Sequence, residues 1–267
     1  MKPLVRDILE ALDRIAPKEL AEQWDNPGLQ VGSLDARVDK VLVALDPSLA
    51  TLKGAIAERA QLLLTHHPLI IKPITNIEAG TGPGPVLFEA IREGVSIVSV
   101  HTNLDAAKEG VNYVLANLLG LEGVEPLVPS PGEGGLGMGR VGFLPKPLPF
   151  EAFIGNVKGI FGVKVARVVN PKKEEVTRVA VVGGSGGDFI QAAVSSGADV
   201  LFTGDLKYHQ AREAEASGLT VVDGGHFSTE VVAMGALRGS FERLCNELGW
   251  EIQVIFFNRE QDPFLFV

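Results

Sequence analysis

The sequence predicts an α/β protein built from two related halves, and three observations lead there. Short β-rich runs alternate with helical patterns along the chain. An internal repeat pairs "KVLVALDPS" (40–48) with "RVAVVGGSG" (178–186), and at the same offset of 138 pairs "AQLLLTHHP" (60–68) with "ADVLFTGDL" (198–206). A third pairing sets "GVSIVSVHTNLD" (94–105) against "GLTVVDGGHFSTE" (218–230). In both, a glycine and a β-branched strand lead into His-x-x-x-carboxylate.

The elements follow in order. Residues 4–15 predict an amphipathic helix, with Leu4, Ile8, Leu12 and Ile15 on one face and Val5 and Leu9 widening it. Strands are expected at Val41–Leu45, Leu62–Thr65, Ile97–Val100, Arg140–Phe143, Val165–Val169, Val179–Val182, Val200–Thr203, Leu219–Val222 and Ile252–Phe257. Helices are expected between them, near 49–60, 85–93, 108–119, 149–161, 188–196, 207–217 and 229–248. The glycine- and proline-rich stretch 129–139 reads as a linker or mobile loop. The expected domains are therefore 1–126 and 127–267, with 229–267 free to pack back on the first.

Composition narrows the function. The apolar runs are too short to span a membrane, and Asp7, Glu10 and Asp13 interrupt any signal-peptide core. The single cysteine, Cys245, excludes an intramolecular disulfide and a thiolate-cluster metal site, and a cytoplasmic location is the expectation. A net charge of −9 gives no general attraction for phosphate backbones, so nucleic-acid binding would need a local basic patch on an assembled oligomer.

The chemistry gathers at strand ends. His66 and His67 follow "LLLT", where the alternation of side chains relaxes and both imidazoles can turn to one point. Pro68 holds His67 extended. His101 with Asp105, and His226 with Glu230, follow two other strands, and their four-residue spacing puts each pair on one face of a first helical turn. Ligands in open α/β sheets gather at the carboxyl ends of strands. Three of these histidines with the two carboxylates suit Zn²⁺, Mn²⁺, Fe²⁺, Co²⁺ or Ni²⁺, and exceed the needs of one tetrahedral ion. Two metals about 3.5–4 Å apart, bridged by a carboxylate, are the more natural arrangement. Two other readings stay open: Asp105 as the cap of a helix starting near Ala106, and Glu230 as a complement to a helix N-terminus.

Weaker signals complete the set. "GGSGGDF" (183–189) lies between strand and helix and favours a tight turn over a phosphate cradle, because it lacks either nucleotide fingerprint. Asp205 occupies the repeat position of His67, with Lys207 and His209 beyond it. These line the substrate side of a cleft, or Asp205 caps the following helix. Trp24-Asp25-Asn26 closes over the site or forms a turn before Gly28.

The segments "LLLTHHPLI", "VSVHTNLDAAKEGVN", "TGDLKYHQA" and "VVDGGHFSTE" resemble the signatures of the Nif-three-like dinuclear-metal family. "WDNPGLQVG" (24–32) and "GRVGFL" (139–144) extend the resemblance over essentially the whole chain, in the short form without an inserted domain. The resemblance implies two α/β/α domains with a two-metal site in the cleft between them, in a homohexameric toroid. It implies His66, His67, Asp105, His226 and Glu230 as ligands, Glu230 bridging, and His101 as a further ligand or a neighbour of the ligands. Bacterial members are often labelled type 2 GTP cyclohydrolase I homologues. The expected function is thus metal-dependent hydrolysis of a nucleotide or phosphorylated small molecule, with Glu230, His101, Asp205 and His209 as catalytic candidates. The alternative is a metal-containing ring that serves as a platform for a protein or single-stranded nucleic acid.

Overall fold

The computed structural model describes residues 2–131, 134–171 and 175–265. The chain divides into two compact units, Met1–Leu104 with Met234–Glu260, and Asp105–Ala233 with Gln261–Val267.

In the first unit the elements are α1 (Val5–Asp13), β1 (Gly28–Val31), β2 (Lys40–Ala44), α2 (Leu49–Ala57), β3 (Leu62–Thr65), α3 (Gly84–Glu93) and β4 (Ser96–Ser99). The helix α4 (Thr102–Ala106) begins there and continues into the second unit. The second unit carries α5 (Val111–Leu118), β5 (Glu122–Pro129), β6 (Gly137–Pro149), α6 (Phe150–Phe161), β7 (Arg167–Val169), β8 (Glu175–Ser185), α7 (Ile190–Ser195), β9 (Val200–Gly204), α8 (Tyr208–Ser217) and β10 (Thr220–Asp223). The long helix α9 (His226–Glu247) begins in this unit and ends in the first, followed by β11 (Gln253–Phe256).

The first sheet has the order β1-β4-β3-β2-β11 and the second β5-β6-β8-β9-β10-β7. In each, three strands run parallel, β2-β3-β4 and β8-β9-β10, and a short antiparallel strand flanks the last of them, β1 on β4 and β7 on β10. The internal repeat in the sequence is this shared core. The halves differ at the other edge, where β11 joins β2 in parallel while β6 joins β8 antiparallel.

Alternation along the strands builds the layers. In the second unit, Val179, Val181, Val200, Phe202 and Val222 pack with Phe153, Val157 and Phe161 of α6 and Leu115 of α5. Their neighbours Ala180, Val182, Leu201 and Val221 pack with Ile190 and Ala193 of α7 and Ala214 of α8. The sheet is therefore covered on both faces. In the first unit, Leu42, Ala44, Leu63 and Ile97 pack with Leu52 and Ala55 of α2 and Val86 and Ala90 of α3. The opposite face, Val41, Val43, Leu62, Leu64 and Val98, is fully buried too. This double burial explains why the parallel strands read as continuous apolar runs.

Local signals set the helix ends. The Asp7 carboxylate accepts the Leu4 N–H at 2.7 Å ahead of α1, and Ser48 Oγ accepts the Thr51 N–H at 3.2 Å ahead of α2. The helix expected over 4–15 stops at Asp13, shortly before Pro17. The stretch expected as a linker falls partly on residues 132 and 133, outside the described residues. Its two ends pair as a hairpin, Val128 with Met138 and Pro129 with Gly137. Among the described residues no helix is long and apolar enough to cross a membrane.

Candidate metal site

The first unit gathers three imidazoles. Strand β3 is buried throughout and delivers His66 and His67 directly. Both keep the strand's pairing, His66 N–H to the Ala44 carbonyl at 3.3 Å and His67 N–H to the Leu45 carbonyl at 3.0 Å. The Thr65 hydroxyl donates to the His67 carbonyl at 2.7 Å and tightens the exit. His101 arrives at the end of the neighbouring strand β4. The ring centroids are 5.1 Å apart for His66 and His67, 5.2 Å for His66 and His101, and 5.6 Å for His67 and His101. One ring nitrogen from each lies within 4.8 Å of the others.

The other nitrogen of each ring is held. His66 Nδ1 lies 2.9 Å from the Val100 carbonyl, His67 Nδ1 2.7 Å from Asp46 Oδ1, and His101 Nδ1 2.8 Å from Asp25 Oδ1. Carbonyls and carboxylates only accept, so each Nδ1 carries the proton and donates it. Each Nε2 is then the ring nitrogen that carries the lone pair. This is the arrangement in which a metal-binding histidine is oriented by an outer oxygen.

The orienting groups are themselves held. Glu260 accepts the Leu45 N–H at 2.7 Å and the Asp46 N–H at 2.8 Å, fixing the turn that carries Asp46. Burial pushes the Glu260 carboxyl up, although these two amides pull it down. Asp25 accepts His101, the Thr102 amide at 3.0 Å and the Thr102 hydroxyl. Burial raises the Asp25 carboxyl, but the hydrogen bonds from His101 and Thr102 outweigh it and hold it down at about 2. The sequence points to Asp25 only within Trp24-Asp25-Asn26, as a segment closing over the site or turning before Gly28, and gives Asp46 no role.

The second unit carries a donor group of its own. His226 is the first residue of α9, and Glu230 lies one turn on, as the spacing predicts. His226 Nε2 is 2.9 Å from Glu230 Oε2, and His226 Nδ1 is 2.8 Å from Asp205 Oδ2. His226 thus shares with the other three an Nδ1 set against an oxygen acceptor, while its Nε2 faces a second carboxylate. Asp205 reaches it from a left-handed backbone, φ 51°, which a short polar residue tolerates. It does not cap α8, whose cap position is Lys207.

Glu230 is buried against a glycine. A Cβ on Gly184, φ +62°, would lie 2.2 Å from Glu230 Oε1. The glycine loop 183–189 thus admits the carboxylate by close approach. Asp105 is buried inside α4, so it does not cap a helix that starts after it. Its carbonyl accepts Asn112 Nδ2–H at 3.0 Å, and Asn112 Oδ1 accepts the Gly183 N–H at 2.8 Å. His209 is exposed on α8, its ring 5.4 Å from that of Tyr208. Imidazole nitrogens with buried carboxylates suit borderline divalent cations, and these groups could hold a metal ion.

Known proteins share this fold and sequence. The chain is 34% identical over 98% of its length, and 99% of the relative's, to a Clostridium perfringens protein named GTP cyclohydrolase 1 type 2 homolog. A Bacillus cereus protein related to NIF3 matches with a TM-score of 0.94 at 27% identity, covering 100% of this chain and 99% of that one. HcgD from Methanocaldococcus jannaschii, in its reduced form, matches with a TM-score of 0.79 at 34% identity, covering 97% of this chain and 99% of that one. The model of the Duf34/NIF3 (NGG1p interacting factor 3) family matches residues 3–263, and the chain belongs to that family.

Proposed function

We propose that this protein is a dinuclear divalent-metal-dependent hydrolase acting on a nucleotide or another phosphorylated small molecule. In this reading His66, His67, Asp105, His226 and Glu230 hold two ions, with Glu230 bridging. The observation that carries it is the shared state of four histidines: each has Nδ1 committed to an oxygen acceptor. Surface histidines have no need of such uniform orientation; ligands do. The names of the relatives support a nucleotide substrate, with ring opening of GTP as one form of the reaction.

Divalent ions held there would acidify water and polarise the electrophile. The chain's own groups do the rest. Asp46 and Asp205 fix the rings of His67 and His226, and Asp25 fixes that of His101. The buried Glu230 supplies a negative charge that offsets the cations.

The test counts metals in the purified protein and incubates it with GTP and a panel of phosphoesters. Metal-dependent turnover abolished by Glu230→Gln is the expected result. No turnover, with saturable protein or single-stranded nucleic-acid binding that survives Glu230→Gln, would instead make the protein a binding platform.

A further inference from the structure

We propose that Trp24 is a stacking platform for a planar nucleobase, so that the ligand is a nucleoside phosphate and not a base-free phosphoester. The inference rests on the metal-site reading for the phosphate end and adds the recognition of the other end. The Trp24 indole is 59% exposed, yet its ring centroid lies only 5.9 Å from that of His101, with the planes at 78°. Indole, His101 and His67 follow one another at 5.9 and 5.6 Å. A ligand with base, sugar and phosphate in sequence would cover that row.

The turn that carries Trp24 is pinned on both sides. The Glu22 N–H donates to Thr102 Oγ1 at 3.0 Å, and the Asp25 N–H to the Glu22 carbonyl at 2.9 Å. Asn26 Nδ2–H donates to the Ile70 carbonyl at 2.7 Å, and Asp25 is locked to His101. An exposed aromatic held this way loses little entropy when a ring stacks on it. Its sequence neighbours, Glu22, Gln23, Asp25 and Asn26, are polar or charged. They can hydrogen-bond the edge of a base, whose ring needs only the π face of the indole.

The test titrates guanosine 5′-monophosphate, guanosine, uridine 5′-monophosphate and ribose 5-phosphate into the full chain by calorimetry, counting bound metal in each sample. The native protein, Trp24→Phe and Trp24→Ala are compared. The native protein should prefer guanosine 5′-monophosphate to ribose 5-phosphate by about tenfold or more. Trp24→Ala should lose about tenfold to a hundredfold in nucleotide affinity, and Trp24→Phe should keep most of it. Uridine 5′-monophosphate should also bind better than ribose 5-phosphate, because stacking tolerates any base. Equal affinities in the native protein, or an unchanged preference in Trp24→Ala, would overturn the proposal. Acrylamide quenching on a Trp250→Phe background should find Trp24 accessible; a shielded indole would mean that a protein surface covers it, and would overturn it too. The metal count separates the two readings. Full metal with no base preference removes the platform alone, and guanosine binding without metal removes the metal site alone.

Discussion

His67 Nδ1 donates to Asp46 Oδ1 at 2.7 Å, and this bond decides which nitrogen His67 offers. Asparagine at position 46 could present either an oxygen or an amide hydrogen, and it lacks the charge that raises imidazole basicity. Asp46→Asn should lower metal affinity by about tenfold to a hundredfold. A competition titration against a chelator measures this, and an unchanged affinity would show that Asp46 does not act through His67.

Gly184 faces Glu230 closely, with 2.2 Å from a built Cβ to Oε1, and its φ of +62° strains any side chain placed there. Gly184→Ala should push Glu230 away, reduce bound metal and destabilise the fold by about 1–2 kcal/mol. Metal analysis and a thermal melt check both effects. A variant with native metal content and melting temperature would contradict the account of this glycine.

Arg140 is buried, and its guanidinium donates to the carbonyls of Gly137 at 2.6 Å, Gly139 at 2.7 Å and Ala107 at 2.6 Å. Burial pulls its pKa down to about 10. Arg140→Ala would remove the guanidinium from all three carbonyls, of which that of Ala107 keeps the Gly110 N–H at 3.2 Å, and each buried bond lost costs about 1–3 kcal/mol. The expected loss is about 3 kcal/mol or more, read from urea unfolding.

Cys245 is buried in α9, and burial together with Glu242 pushes its thiol up to about 12. The native thiol should resist iodoacetamide at pH 8 and react only on unfolding. Because the folded pKa exceeds the unfolded one, near 9, the folded state holds the extra proton between the two. Stability from this group is complete below pH 9 and falls as pH rises toward the folded value, by about 1.4 kcal/mol per pH unit. Urea unfolding at pH 7, 9 and 10 should show that fall, and Cys245→Ala should remove this part of it.

The parallel core was legible because its strands are buried on both faces and so read as apolar runs. Strand β1, "GLQV", carries no such run, and β5 contains Pro126 and Pro129, which fit only an edge. Helix α4 has five residues, too few for a periodic signal. The site divides the same way. Five histidines in the chain make four at strand ends conspicuous, whereas Asp25 and Asp46 are two among 33 acidic residues. Their roles come from contacts 76 and 21 residues away in the chain, which only folding reveals.

Crystals of protein purified without chelator, with anomalous scattering recorded at several absorption edges, test the central proposal most directly. The account predicts two metal peaks per chain, ligated through the Nε2 atoms of His66, His67 and His226 and the carboxylates of Asp105 and Glu230, with Glu230 shared. No peak at these residues, or a single ion bound without Glu230, would contradict it.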